Sequence, residues 1–595
     1  MLRYWLHTTW VQYLLLFVLL AGGVLYWGFI FEFGYDFQWS VLYVPNETYG
    51  LVFAVELMKG LWTTLQITLI SSGLALVLGT LFGLGRLSAF KPFYYAASSY
   101  VEFFRNTPLL VQLFFWYFAL PMGLPETWRE WVFDHNFEFW SATVGLSVYT
   151  GAFMAEVIRA GMQSIPKGLL EAAYSSGLTY FQALRTIILP LAFRAIIPPL
   201  GSEFLNNMKN SSLAMVVGVA ELCWQSQQVE SLTFRGFEAT TAASVIYLGL
   251  SLGISAILNM INLRLRINDG HTRKKGLGLF LGNILFWPFE QFWSLLTFSV
   301  GIMGTEKAGL TYTGTRLVWK KIRTAGITAI LFAGRWGFVA LLAGLLYELG
   351  LGLTHFNWSV IGENLQSLLL WKFPSNDPND VLWGMGGLSA SIAMAVIAIS
   401  ISFGIGLLVG LGRVSRNLVV RIPCTLYIEI IRGNPLILVI FWVYFFIPIF
   451  IKSYLDVFWS ATIALTIFTG AYLAEIVRAG IQNIPRGQVE AAYGTGLSYT
   501  TTMLSIILPQ ALKQMIPAIV GQFIAIFKDT SLAYIIGVME LTFVAQGLNN
   551  RLMIYPFEIY ATVAVLYFIC CYSMSIVAAR LERRLTPGGD ARMVM

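Results

Sequence analysis

Apolar residues in this chain come in long unbroken runs, with polar residues confined to the short stretches between them. Such runs occupy 10–31, 61–84, 99–120, 140–160, 192–218 and 238–262, then 327–350, 385–411, 428–451, 459–479, 511–538 and 557–579. Runs near or above roughly 20 residues carry an α-helix across a bilayer. A transmembrane β-barrel is excluded, because its strands alternate over about ten residues. The pattern predicts an all-α polytopic membrane protein with about twelve transmembrane helices. No small-residue cleavage site follows Trp10–Phe31, which marks it as a retained span. The stretch 276–304 is apolar and aromatic but holds Pro288, Glu290 and Gln291. A single crossing there would put Lys320, Lys321 and Arg323 outside, so it is expected to lie in the cytoplasmic interface as a tether, or as a shallow re-entrant pair.

Orientation follows from the short loops. Arg86 and Lys91 follow the second run, and Arg413, Arg416 and Arg421 follow its counterpart; Arg264, Arg266, Arg273, Lys274 and Lys275 close the first part, as Arg580, Arg583, Arg584 and Arg592 close the second. All become cytoplasmic if the N-terminus is inside, and both termini then lie on that side. The opposite loops, 32–58, 121–139 and 351–384, hold acidic residues with fewer basic ones, and Asn376-Asp377-Pro378-Asn379-Asp380 reads as turn material.

Composition agrees: 57% of the 595 residues are hydrophobic and only 12% charged, against roughly 25% charged in a soluble domain. With its basic residues beside the spans, the net charge of +7 is topological and implies no nucleic-acid partner. The 19 Trp and 27 Tyr suit interfacial belts. Cys223, Cys424, Cys570 and Cys571 form no disulfide framework, and four His without paired spacing predict no metal site.

The chain repeats itself. Glu171-Ala172-Ala173, Gly177, Ile187, Leu189 and Pro190 recur 319 residues later as Glu490-Ala491-Ala492, Gly496, Ile506, Leu508 and Pro509. Trp39-Ser40-Val41 recurs as Trp358-Ser359-Val360 at the same shift. Gly83-Leu84-Gly85-Arg86 and Arg105-Asn106-Thr107-Pro108 recur at a shift of 327, as Gly410-Leu411-Gly412-Arg413 and Arg432-Gly433-Asn434-Pro435. The shift returns to 319 at Trp140 and Trp459, so the 121–139 loop is longer in the first half. Six spans per half give both halves one orientation, related by a pseudo-twofold axis along the membrane normal. The expected organisation is a first half over 1–265, a cytoplasmic or interfacial linker over 266–325 and a second half over 326–595.

In each repeat, Ile165-Pro166-Lys167-Gly168 or Ile484-Pro485-Arg486-Gly487 stops a span. A short helix then runs through the Glu and breaks at Gly177 or Gly496, where φ > 0 costs little. A second amphipathic piece ends at Leu189-Pro190 or Leu508-Pro509. The expected product is a stiff knob that transmits rigid-body movement. These residues resemble the cytoplasmic coupling loop of permease subunits of bacterial ABC importers. Three further segments sharpen the likeness to the polar amino-acid subfamily: Tyr100 to Gln112, Ala155 to Gly161, and Lys209-Asn210-Ser211-Ser212-Leu213-Ala214. Their partners are Tyr427 to Leu438, Ala474 to Gly480, and Lys528-Asp529-Thr530-Ser531-Leu532-Ala533. The likeness covers 55–265 and 380–585; the extra first span of each half and the 276–325 stretch depart from five-span subunits.

The resemblance implies a fused permease of a glutamate/aspartate-type importer in a bacterial inner membrane, with both permease subunits in one chain. It also implies an ATPase dimer docked under the knobs, with ATP and Mg bound there rather than on this chain, and a periplasmic amino-acid-binding protein above. No G-x-x-x-x-G-K-[ST] loop occurs, so this chain does not hydrolyse ATP by that route. An ion-coupled secondary carrier of 6+6 architecture is the alternative left open at this stage.

Charges inside the spans are the remaining signal, since an unpaired one at mid-bilayer costs at least about 2.5 kcal/mol. Lys209, Asn210 and Ser211, with Lys528, Asp529 and Thr530, are expected to face the pathway and meet a substrate carboxylate, unless each Lys snorkels or pairs with Glu203 or Asp529. Glu102/Arg105 and Glu429/Arg432, and then Glu156/Arg159 and Glu475/Arg478, lie three residues apart on helical faces and read as gating or structural ion pairs. Small residues including Gly22, Gly23, Gly79, Gly83, Gly404, Gly406 and Gly410 are expected to let helices approach closely.

Overall fold

The computed structural model describes residues 34–46, 48–265, 315–372 and 384–585, together with positions 12, 15, 18, 21 and 22. Among the described residues nine helices are long and apolar enough to cross a membrane, or ten with one bent pair counted as a span. The first half contains α1 (Phe53–Gly85), α2 (Lys91–Arg105), α3 (Leu109–Phe114), α4 (Glu126–Phe133), α5 (Phe137–Gln163), α6 (Lys167–Ser175), α7 (Leu189–Asn210), α8 (Leu222–Thr233) and α9 (Gly236–Leu265). The second contains α10 (Thr315–His355), α11 (Ser359–Leu369), α12 (Leu388–Val414), α13 (Leu418–Gly433), α14 (Leu436–Ile451), α15 (Val457–Gln482), α16 (Arg486–Gly494), α17 (Leu508–Asp529), α18 (Leu541–Leu552) and α19 (Pro556–Leu585). A two-stranded antiparallel ribbon pairs Trp371 with Gly386 and Lys372 with Met385.

The expected span 10–31 falls almost wholly outside the described residues, as do 276–304, the turn at 376–380 and the linker up to 314. Helix α10 begins at Thr315, inside the stretch read as linker.

Two expected spans are not continuous helices. The run 99–120 is split between α2 and α3, and the run 428–451 between α13 and α14, which meet at 113°. Pro108 and Pro435 cause the breaks: each takes an extended backbone and opens the next helix. A helix end inside the membrane exposes four carbonyls that must find donors. On α2 all four are met. Asn106 Nδ2 donates to Glu102 O (2.7 Å), Thr107 Oγ1 to Phe103 O (3.1 Å), Gln112 Nε2 to Phe104 O (3.0 Å) and Lys528 Nζ to Arg105 O (2.8 Å). On α13, Asn434 Nδ2 donates to Ile430 O (2.9 Å), Lys209 Nζ to Arg432 O (3.3 Å) and Ser251 Oγ to Gly433 O (2.6 Å).

Helix α1 packs on α5, and α12 on α15, through glycine. A methyl group on Gly83 would sit 2.7 Å from Ala155 O, and one on Gly410 2.8 Å from Ala474 O and 2.6 Å from Val477 Cβ. Gly79 and Gly406 sit equally tightly, against Met154 and Leu473. Gly22 and Gly404 differ from the expectation, with nothing within 4 Å among the described residues. Gly404 precedes Gly406 by two residues, which turns it to another face of the helix.

The repeated Trp-Ser-Val loops are tied down from the far end of each half. Glu238 in the first turn of α9 accepts from Gln38 N (2.8 Å) and Tyr35 Oη (2.6 Å); Glu558 in the first turn of α19 accepts from Asn357 N (2.9 Å). Burial, reinforced by the Glu238 carboxylate, pushes the Tyr35 phenol up to about 12. The halves meet through their last helices: Ser251 of α9 reaches α13, while Tyr560 of α19 stacks on Phe118 beyond α3 at 5.8 Å.

Candidate translocation pathway and coupling loops

Each expected coupling loop is a short helix, a left-handed glycine and a re-entry into the bundle. Helix α6 carries Glu171, Ala172 and Ala173; the first two are exposed and Ala173 is buried. Helix α16 presents Glu490, Ala491 and Ala492 in the same way. Gly177 (φ +79°) and Gly496 (φ +82°) close the helices. Gly177 N donates to Tyr174 O and Leu178 N to Ala173 O; Gly496 N donates to Tyr493 O and Leu497 N to Ala492 O. This paired capping needs a residue free to adopt positive φ.

The expected stop at Leu-Pro is absent. Leu189 and Pro190 begin α7, and Leu508 and Pro509 begin α17, each continuous with a preceding π turn, Leu184–Ile188 or Met503–Ile507. A proline in the first turn of a helix loses no intrahelical bond, and the π turn absorbs the change of register. The second piece of the knob and the span behind it are therefore one rod.

Just above each knob lies an ionic cluster built from three helices. Glu156 of α5 receives Arg86 from the end of α1 (2.7 Å), Arg159 one turn on through its Nε (3.1 Å), and Arg105 at the end of α2 (4.0 Å). The second half repeats this around Glu475, with Arg478 (2.6 Å), Arg413 (3.8 Å) and Arg432 (3.8 Å). The expected pairs Glu156/Arg159 and Glu475/Arg478 form. Among the described residues Glu102/Arg105 and Glu429/Arg432 do not: Glu102 pairs with Arg86 (3.3 Å) and Glu429 with Arg413 (2.8 Å). Spacing permits the i,i+3 contact, but the break in the span turns Arg105 and Arg432 towards α5 and α15. Arg86 and Arg413 read from the sequence only as orientation signals; their place in the repeat was the available clue. Arg159 also donates to Gln163 (2.6 Å), extending the cluster towards the knob.

The polar residues of α7 and α17 converge on a cavity of about 320 Å³ between the halves. Lys209, Asn210, Lys528 and Asp529 line it; Ser211 and Thr530 do not. Their hydroxyls donate back to Met208 O (2.6 Å) and Phe527 O (2.7 Å), and Ser212 and Ser531 take the lining positions instead. A short 3-10 turn follows each Lys step; Ser211 and Thr530 open it and stay out of the lining, while the two residues on either side of each line the cavity. Lys209 donates to Arg432 O and to Tyr472 Oη (3.0 Å), and Lys528, only 8% exposed, to Arg105 O. Each lysine thus crosses the interface and caps the broken helix of the opposite half, where the helix dipole favours a cation. Neither snorkelling nor pairing with Glu203 or Asp529, the structural alternatives for these lysines, anticipates this partner.

The cavity is not symmetric. By the internal repeat Glu203 of α7 corresponds to Gln522 of α17 and Asn210 to Asp529, while Tyr149 and Phe153 of α5 stand where α15 has Phe468 and Tyr472; all line the cavity. The sequence analysis offers Glu203 only as a pairing partner for a lysine and does not single out Gln522, although both lie on the same helices as the lysines. Two ammonium and two carboxylate side chains leave the lining without net charge.

Comparison with known proteins places this geometry. A family model described as binding-protein-dependent transport system inner membrane component matches residues 75–267 and again 402–587. The probable glutamine ABC transporter permease protein GlnM of Bacillus subtilis (strain 168) is 42% identical over 209 residues, covering 35% of this chain and 92% of that relative. The glutamine transport system permease protein GlnP of Escherichia coli (strain K12) is 36% identical over 232 residues, covering 39% and 99%. The glutamate/aspartate import permease protein GltJ of the same strain is 30% identical over 236 residues, covering 39% and 96%. A nearly complete relative corresponds to little more than a third of this chain. With both matched segments in register with the internal repeat, the chain belongs to the family of binding-protein-dependent transport system inner membrane components and carries two copies of its domain.

Proposed function

We propose that this chain supplies both membrane halves of an ABC importer for polar amino acids in a bacterial inner membrane, with its termini cytoplasmic. The observation that carries the reading is the cavity at which matching residues of both halves meet, standing above two duplicated knobs. Substrate released by a binding protein enters the cavity. An ATPase dimer, which holds ATP and Mg, draws the knobs together and closes the cytoplasmic mouth. The rod formed by each π turn and its span gives that motion a stiff path to Lys209 and Lys528.

Glutamate or aspartate was the substrate implied by the sequence resemblance. Relatives named for glutamine and for glutamate/aspartate both support a polar amino acid. The balanced lining favours a neutral zwitterion such as glutamine, with its ammonium near Asp529 and its carboxylate near a lysine. In a reconstituted complex with ATPase and binding protein, glutamine should stimulate ATP hydrolysis at least as strongly as glutamate. Stimulation by neither acid nor amide, or transport without any ATPase, would overturn the reading. Lys209→Met and Lys528→Met should each weaken transport affinity about tenfold, the order expected for one charge-assisted hydrogen bond. Unchanged affinity and rate in both would remove the lysines from the pathway.

A further inference from the structure

A second cavity, about 580 Å³, lies between the second knob and the bundle above it. Its walls are largely apolar, including Ile481 at the end of α15, Val489 of α16 and Ile507 of the π turn. At its edge stand Arg416, on the turn after α12, and Arg486, the first residue of α16. Both are exposed, and neither has a carboxylate partner among the described residues. Thr502 also lines the cavity; it is 2% exposed and its hydroxyl has no hydrogen-bond partner among the described residues. A buried hydroxyl left unpaired is unfavourable, so a ligand oxygen within its reach would be favoured.

The first half lacks this equipment. By the internal repeat, Arg416 corresponds to Ala89 and Thr502 to Ala183, while Arg486 corresponds to Lys167. The Arg416 guanidinium and the Thr502 hydroxyl therefore belong to the second half alone.

We propose that this cavity binds one anionic glycerophospholipid of the leaflet that faces the coupling loops. Its phosphodiester would sit between the guanidinium groups of Arg416 and Arg486, which match phosphate oxygens in charge and fork geometry. An ester oxygen accepts from the Thr502 hydroxyl, and part of an acyl chain fills the apolar walls. A free inorganic ion fits poorly: it would leave most of the volume to water against aliphatic side chains, whereas a headgroup with its chain satisfies both surfaces. Basic pockets beside membrane-spanning helices are a recognised setting for acidic headgroups. The bound lipid would bridge the α12–α13 turn to α16, stiffening one knob and not the other. The proposal stands whether or not the transport reading holds, because it concerns binding to the chain alone.

The test uses the purified full chain in detergent, titrated with phosphatidylglycerol, phosphatidylcholine or inorganic phosphate and read by native mass spectrometry and thermal melting. One phosphatidylglycerol should be retained per chain, raising the melting temperature, with little effect from phosphatidylcholine or millimolar phosphate. Arg416→Ala should weaken that binding about fivefold, the order of one basic side chain at an anionic surface. Thr502→Leu, which fills the cavity and removes the hydroxyl, should abolish it. Equal binding of phosphatidylcholine, a full thermal shift from phosphate alone, or undiminished phosphatidylglycerol binding in Arg416→Ala would overturn the proposal. Because Arg416 is exposed, its variant folds even if the Thr502 variant does not.

Discussion

Glu475→Ala should be among the most damaging single substitutions in the second half, and Glu156→Ala in the first. Each carboxylate stands among three guanidinium groups drawn from three helices. Its removal leaves those cations facing one another. A buried pair stripped of one partner loses about 3–5 kcal/mol. Here Glu475 keeps 23% of its side-chain surface exposed, so solvent screening brings the expectation to about 2 kcal/mol. Arg413→Gln should cost less, because Glu475 keeps two cationic neighbours and Glu429 is exposed. Thermal melting of the purified chain reads the difference, and a Glu475→Ala variant that melts like the parent would dismiss the cluster as a structural joint. In the assembled transporter the same variant should also uncouple ATP hydrolysis from transport, since the cluster joins the broken helix to the helix that enters the knob.

Gly410→Leu should prevent the second half from assembling, whereas Gly404→Leu six residues earlier should be tolerated. The first would drive a side chain into the backbone of α15 at Ala474 and into Val477, and neither rigid neighbour can rotate away. Overpacking of this kind costs about 1–3 kcal/mol even in an adaptable core. In a membrane interface built on close backbone approach it separates the helices. Gly404 meets nothing within 4 Å among the described residues. Monodisperse yield after detergent extraction distinguishes the two, and equal yields would show that α12 and α15 do not depend on their glycines. Gly83→Leu should repeat the effect on α1 and α5.

Much of this architecture is legible in one dimension because the bilayer imposes it. Lipid demands long apolar segments, so spans such as Phe137–Gln163 and Val457–Gln482 announce themselves with modest error at their ends. The constant shift between the two Glu-Ala-Ala segments reveals the duplication, and the left-handed glycine after each follows from backbone sterics alone. The convergence of Lys209 and Lys528 on one cavity also follows, given that the halves share one orientation.

Tertiary structure decided the partners. Spacing along a helix says which side chains share a face, but not what that face meets, so Glu102 and Glu429 were assigned to neighbours in sequence when distant arginines claim them. It likewise could not show that the lysines cap carbonyls across the interface, because that contact exists only once Pro108 and Pro435 have broken their helices inside the membrane. Ser211 and Thr530 turned away for a similar reason: a tightened turn after each lysine changes which residues look inward. Periodicity and hydrophobicity are properties of a single segment, and the chain states them by itself. Which carbonyl lacks a donor, and which cation supplies it, depends on where two segments meet, and only the folded pair of halves fixes that.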